Sequence, residues 1–122
     1  MVSVLVLAPE GIPLVQDPTK PLPLYWKLPG GRDEDGETPL ETGIRETDEE
    51  IGLRFLPSDL TLIFEEPRKN HRFFLFVARP LALGQLRKRG SEGENVAVFS
   101  REEVKTMVDM HPDHRRIVAP YL

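Results

Sequence analysis

No cysteine occurs in the 122 residues of the chain, so disulfides and thiolate zinc sites are excluded and a reducing compartment is permitted. A basic surplus is missing too. The 16 Lys and Arg stand against 20 Asp and Glu, and the net charge of −4 argues against a protein that grips polymeric nucleic acid through its phosphate backbone. Nor is there a long hydrophobic run. Val4-Leu5-Val6-Leu7-Ala8 follows no basic residue and is far too short to cross a membrane or to form the core of a cleaved leader. The expectation is a chain that starts at Met1, meets no membrane and works in the cytoplasm. Internal repeats and low-complexity stretches are absent as well. What remains is enough length for one hydrophobic core and too little for two, hence a single domain over residues 1–122.

What the chain does contain gathers around residues 30 to 53, where a Gly-rich loop feeds an acidic helix. Thr38 and Glu41 make a capping box, Pro39 occupies the first helical position, and Gly52 supplies a left-handed residue past the end, which predicts a helix over 39–51. At 3.6 residues per turn Leu40, Ile44, Thr47 and Ile51 share one packing stripe, while Glu46, Glu49 and Glu50 cluster on the far side. Like charges three and four residues apart repel. Arg45 can take one of the three carboxylates, and a hard divalent cation, Mg²⁺ or Mn²⁺ in its place, would neutralise the rest.

The spacing Gly31, five residues, Glu37, seven residues, Arg45-Glu46-x-x-Glu49-Glu50-x-Gly52-Leu53 resembles the signature of the Nudix hydrolases. One position departs from it: Thr47 stands where the family usually has an aliphatic residue. The resemblance extends to Tyr25-Trp26-Lys27-Leu28-Pro29 ahead of Gly30-Gly31. It implies an α/β/α sandwich around a mixed β-sheet and Mg²⁺-dependent attack of water on phosphorus in a nucleoside diphosphate linked to another group. It also implies a metal cluster on Glu46, Glu50 and Glu49, with Glu37 joining directly or through water and Gly30 through its carbonyl. Arg45 would orient a neighbouring glutamate. The general base would be Glu49 or one of two loop acids, Glu92 and Glu94. A homodimer is an expectation by analogy with relatives. The competing expectation is a nucleotide-binding or regulatory module that keeps the fold without turnover, which would predict a damaged signature; here every charged position is present.

The rest of the chain reads as sheet and cover. Val2 to Ala8 and Ile12 to Gln16, broken by Pro9-Glu10-Gly11, predict a hairpin, and the three prolines between Asp17 and Pro23 predict an irregular exposed connection. Trp26 reads as rim or core packing ahead of a surface for stacking a base. Leu60 to Phe64 predicts a strand. Phe73-Phe74-Leu75-Phe76-Val77-Ala78 is apolar on consecutive residues, so it predicts an interior strand covered on both faces and agrees with the sandwich. Gly90 and Gly93 predict a mobile loop between Leu86 and Asn95, followed by a short strand over 96–99. Ser100 and Glu103 form a second capping box that predicts a helix to about Met110, with residues 113–122 as a tail. His111 and His114 read as surface histidines, and Arg68, Lys69, Arg72 and Arg87 to Arg89 as surface charge.

Overall fold

The computed structural model describes residues 1–122. Its main sheet is built on two neighbouring interior strands, β1 (Val2–Val6) and β5 (Arg72–Ala78), which run parallel with Val2 opposite Phe74 and Val6 opposite Ala78. On the outer side of β1 lies the two-residue strand β3 (Gly30–Gly31), antiparallel to it. On the outer side of β5 lies β4 (Thr61–Pro67), also antiparallel, with a bulge between Leu62 and Phe64. The spatial order is therefore β3-β1-β5-β4. A second, two-stranded sheet pairs β2 (Ile12–Gln16) with β6 (Asn95–Phe99).

Alternation along the two interior strands sorts the core into two halves. Val2, Val4, Val6, Phe76 and Ala78 join Ile51 of the first helix, α1 (Pro39–Ile51), in one buried cluster. Leu5, Leu7, Phe73, Leu75 and Val77 join Val104, Ile117 and Val118 in the other. Val104 comes from α2 (Arg101–Thr106), and Ile117 and Val118 from α3 (Pro112–Val118). Helices thus cover both faces of a mixed sheet, the sandwich that consecutive apolar residues in β5 require. No helix is long and apolar enough to cross a membrane.

Three local expectations need correction. The segments around Pro9-Glu10-Gly11 do not form a hairpin ladder. Ala8 and Gly11 exchange two backbone hydrogen bonds across a turn, but both edges of β1 are already occupied by β3 and β5, so β2 leaves to pair with β6. The second capping box at Ser100 starts a helix, yet that helix stops at Thr106, because Trp26 N–H donates to the Asp109 carbonyl and His111 N–H to the Trp26 carbonyl, holding this stretch extended. The expected tail forms α3. Pro112, taken from sequence as the start of that tail, occupies the first helical turn, where its missing N–H is harmless, and His111 caps it through Nδ1.

α1 itself has the predicted bounds. The Thr38 side chain accepts from Glu41 N–H while the Glu41 side chain accepts from Thr38 N–H, and Gly52 closes the helix at φ 78°. Its buried face is rotated from the expected stripe: Thr47 and Ile51 are sealed, Leu40 and Ile44 only partly, and Gly43 and Glu50 are buried instead. Thr47 replaces an aliphatic side chain without leaving its hydroxyl orphaned, since Oγ1 donates to the Gly43 carbonyl at 2.9 Å. Trp26 meets Phe99 edge to face at 5.0 Å and packs against the core.

Candidate active site

The carboxylates of α1 face the glycine strand. Gly30 N–H donates to Glu50 Oε1 at 2.7 Å. A methyl group at Gly30 would run into the Val2 carbonyl oxygen, so the pairing of this strand with β1 needs glycine there, and a methyl at Gly31 would push the Glu46 carboxylate aside. Glu46, Glu49 and Glu50 line a cleft of about 470 Å³ with Gly30, Gly31 and Lys27.

Arg45 is the cation around which this cluster is ordered. Its Nε and Nη2 donate to the two oxygens of Glu37 at 2.7 and 3.0 Å, Nη1 donates to Glu46 at 3.0 Å and to Glu49 at 3.2 Å, and Nη2 also reaches the Arg32 carbonyl. Such a fork fixes several carboxylates at once. Glu37 is therefore not turned toward the cleft. Its Oε1 also accepts from Glu34 N–H and Thr42 Oγ1, and the bond from Arg45, with that from Glu34 N–H behind it, holds its carboxyl down at about 2. In this arrangement Glu37 grips Arg45.

The loop after β5 brings a further acid. Arg87 N–H donates to the Ile51 carbonyl and Ser91 N–H to the Glu49 carbonyl, so carbonyls at the end of α1 that the helix cannot satisfy are satisfied by the loop. The loop expected to be mobile is fastened to the helix. Gly90, where a methyl would press on the Glu94 carboxylate, lets Glu94 tuck in beneath it. Glu94 is buried and accepts from Glu92 N–H, whereas Glu92 is exposed at the rim of the cleft.

Negative charge in this cluster exceeds its local compensation. Glu50 is 5% exposed, and burial pushes its carboxyl up to about 8, with Glu46 and Glu94 adding to the rise against the Gly30 N–H. Burial also raises Glu46 in spite of Arg45 beside it. No three acidic or histidine side chains converge on one metal-sized point as they stand. The donor set nevertheless suits a hard divalent cation: carboxylate oxygens, half-buried, with more charge than Arg45 and Lys27 balance.

A second cavity of about 460 Å³ opens beside the first and shares Met1, Asp17, Lys20, Lys27, Gly30 and Gly31 with it. A row of rings lines it. Tyr25 meets His111 edge-on at 5.9 Å, His111 lies 4.7 Å from His114, His114 lies 6.3 Å from Phe73, and the Arg68 guanidinium sits over Phe73 at 4.9 Å. The histidines are not surface groups, and Arg68 is not free surface charge: its Nη2 lies 3.0 Å from Glu66 and 2.9 Å from Asp113. Sequence reasoning missed this cavity. Reading Pro112 as a helix start is the signal that would have found it, because both histidines then fall at the first turn of one helix.

Burial, then the neighbouring His111, Lys27 and Arg68, hold His114 down at about 3, and its Nδ1 accepts from Leu28 N–H. The unfolded chain takes up this proton near the ordinary histidine pKa of about 6.5, whereas the folded chain refuses it until about 3. Stability linked to His114 is therefore complete above pH 6.5 and lost as pH falls toward 3, by at most about 1.4 kcal/mol per pH unit. Urea unfolding at a series of pH values checks this: the slope across that window should be smaller in His114→Asn than in the wild type.

The family model described as NUDIX domain matches residues 1–121. Over 113 residues the chain is 31% identical to human "8-oxo-dGDP phosphatase NUDT18", covering 91% of this chain and 35% of that protein; it spans about a third of that relative's length. Among solved structures, a MutT protein from a study of Aliivibrio salmonicida and Vibrio cholerae superposes with a TM-score of 0.79 at 20% identity, covering 98% of this chain and 92% of that one. A bifunctional NMN adenylyltransferase/ADP ribose pyrophosphatase from Francisella tularensis, in complex with AMP and a Mn ion, superposes with a TM-score of 0.77 at 23% identity, covering 98% and 39%.

Proposed function

Because the chain belongs to the Nudix family, we propose that it hydrolyses the pyrophosphate bond of a nucleoside diphosphate, free or joined to a further group, with Mg²⁺ as its working ion and Mn²⁺ as a substitute. The observation that carries this reading is the convergence of Glu46, Glu49 and Glu50 with the Gly30-Gly31 backbone on one cleft. Support for the substrate class comes from the relative named for 8-oxo-dGDP and from the neighbour crystallised with AMP and a Mn ion.

Glu46 and Glu50, one helical turn apart, would hold the ion, with Glu49 and the Gly30 carbonyl as further candidate ligands. The bound cation supplies Lewis-acid polarisation of the phosphate oxygens and lowers the pKa of an attacking water. Glu49 suits the general base, since its side chain is 45% exposed at the cleft and only Oε2 is engaged by Arg45. Glu92, exposed on the loop, is the alternative base, and Glu94, buried beneath Gly90, supports the cluster from behind. Arg45 orients Glu46 and Glu49 and is itself oriented by Glu37. Lys20 and Lys27 lie where the two cavities meet and neutralise substrate phosphates. The site lies within one domain over residues 1–122, working in the cytoplasm, with a homodimer as its assembly.

The test is a substrate panel of 8-oxo-dGDP, dGDP, ADP-ribose and dGTP with Mg²⁺, read by chromatography of the nucleoside monophosphate. Monophosphate from at least one compound, abolished by EDTA, is the expected result. If no compound is turned over, the chain is a binding module; if turnover ignores EDTA, the acidic cleft is not the site.

A further inference from the structure

Several side-chain acceptors of the ring-lined cavity are already engaged by protein donors. Asp113 accepts from Arg116 at 2.7 and 3.2 Å and pairs with Arg68, and Asp17 Oδ1 accepts from Thr19 N–H and Oγ1 at 2.9 and 2.6 Å. His114 Nδ1 accepts from Leu28 N–H at 3.1 Å, and His111 Nδ1 from His114 N–H at 3.4 Å. A ring that accepts at Nδ1 and is neutral must carry its hydrogen on Nε2. His114 therefore has a fixed tautomer with one donor, Nε2–H. That atom has no protein partner, and it is not among the sealed side-chain atoms lacking a partner, which are confined to Arg68. Its residue lines the cavity. Tyr25, Lys20 and Lys27 add further donors on the same walls.

We propose that this cavity takes the nucleobase of the substrate and selects one that carries a carbonyl oxygen on its edge, with His114 Nε2–H as the selecting donor. The proposal rests on the pyrophosphatase reading of the adjoining acidic cleft. The two cavities meet at Met1, Asp17, Lys20, Lys27, Gly30 and Gly31, so a base among the rings leaves its diphosphate beside the two lysines, which outnumber the one carboxylate there, and its phosphorus beside the α1 carboxylates. Tyr25 and His111 offer faces and edges to an aromatic base. A 6-oxopurine presents an acceptor to His114, whereas a 6-aminopurine presents a second donor and leaves both unpaired, an arrangement that buried polar groups disfavour. His114 is a specificity-determining residue in this account. Because it stays neutral down to about 3, it remains a single donor throughout the neutral range.

Inosine and adenosine diphosphates differ at the purine 6-position, which makes them the deciding pair. Their α,β-methylene analogues, which cannot be cleaved at the bridge, are titrated into the wild-type protein with Mg²⁺ by calorimetry. The inosine analogue should bind at least about tenfold tighter. In His114→Asn, whose amide oxygen can still accept from Leu28 N–H, the two affinities should converge. Independently of any variant, two-bond ¹H–¹⁵N spectra of the wild-type imidazoles should show His114 protonated at Nε2 alone, with that resonance moving on addition of the inosine analogue and staying put with the adenosine one. Equal affinities, tighter adenosine binding, no binding of either analogue or an immobile Nε2 resonance would each overturn the assignment. Discrimination between the analogues without hydrolysis of any natural diphosphate would sink the pyrophosphatase reading and leave this one standing; hydrolysis without discrimination does the reverse.

Discussion

Replacing Glu50 with glutamine is expected to remove turnover while leaving the metal-free fold as stable as before, or more so. The amide oxygen of glutamine can still accept from Gly30 N–H, so the bond that ties α1 to the glycine strand survives. What disappears is a carboxyl that burial, with Glu46 and Glu94 behind it, holds up at about 8, so that folding without metal must keep it protonated where the unfolded chain would ionise it. Replacing such a carboxyl by a neutral amide of the same shape is neutral or stabilising, here by up to about 1 kcal/mol. Activity should fall at least about 100-fold, because the loss of a ligand exceeds the loss of a group that merely orients one. The two effects separate in one pair of measurements. Thermal unfolding in EDTA should give a variant midpoint equal to or above wild type, and Mg²⁺ should raise the wild-type midpoint and not that of the variant. If the variant midpoint in EDTA falls by more than about 5 °C, Glu50 anchors the fold and its place in a metal site loses its support.

Such a charge was legible in the sequence as an excess, but not its depth. α1 is specified by its own residues: Thr38, Pro39, Glu41 and Gly52 set its bounds through contacts no more than a few residues long, and the structure keeps each of them. The interior position of β5 was equally readable, since six apolar residues in a row need cover on both faces. Apart from α3, whose start Pro112 marks locally, the errors lie where a distant partner decides. β2 left the expected hairpin because β1 had taken β3 and β5 from remote parts of the chain. Two glycines near residue 90 suggest freedom locally, yet the loop is pinned by carbonyls of α1. The bonds from the Arg45 guanidinium to both oxygens of Glu37 are likewise visible only in the fold. His114 meets Leu28 across 86 residues of sequence. Periodicity and capping carry no information about such pairs, whereas the fold makes them.

Arg45→Ala is the substitution expected to damage both stability and activity. Its guanidinium is the common partner of Glu37, Glu46 and Glu49, and its side chain is about one-fifth exposed. Removing it leaves Glu46 facing Glu49 and Glu50 without the guanidinium that touches two of them, and the other cations on the cleft wall, Lys20, Lys27 and Arg32 among them, make no ion pair with these acids. Screening by solvent at a partly open site reduces the loss below that of a fully buried pair, to about 2 kcal/mol. Lysine at this position restores the charge and not the fork, so it cannot bridge Glu37 to Glu46 and the Arg32 carbonyl together; Arg45→Lys should recover less than half of the lost stability. Coupling to Glu37 provides the control. Once Glu37 has been changed to glutamine, the further loss from Arg45→Ala should be smaller than in the wild type, because the strongest pair is already broken. Urea unfolding of the four proteins in EDTA measures this cycle. Additive losses, or a variant within about 0.5 kcal/mol of wild type, would reduce Arg45 to an ordinary surface ion pair and leave the alignment of Glu46 and Glu49 without a cause.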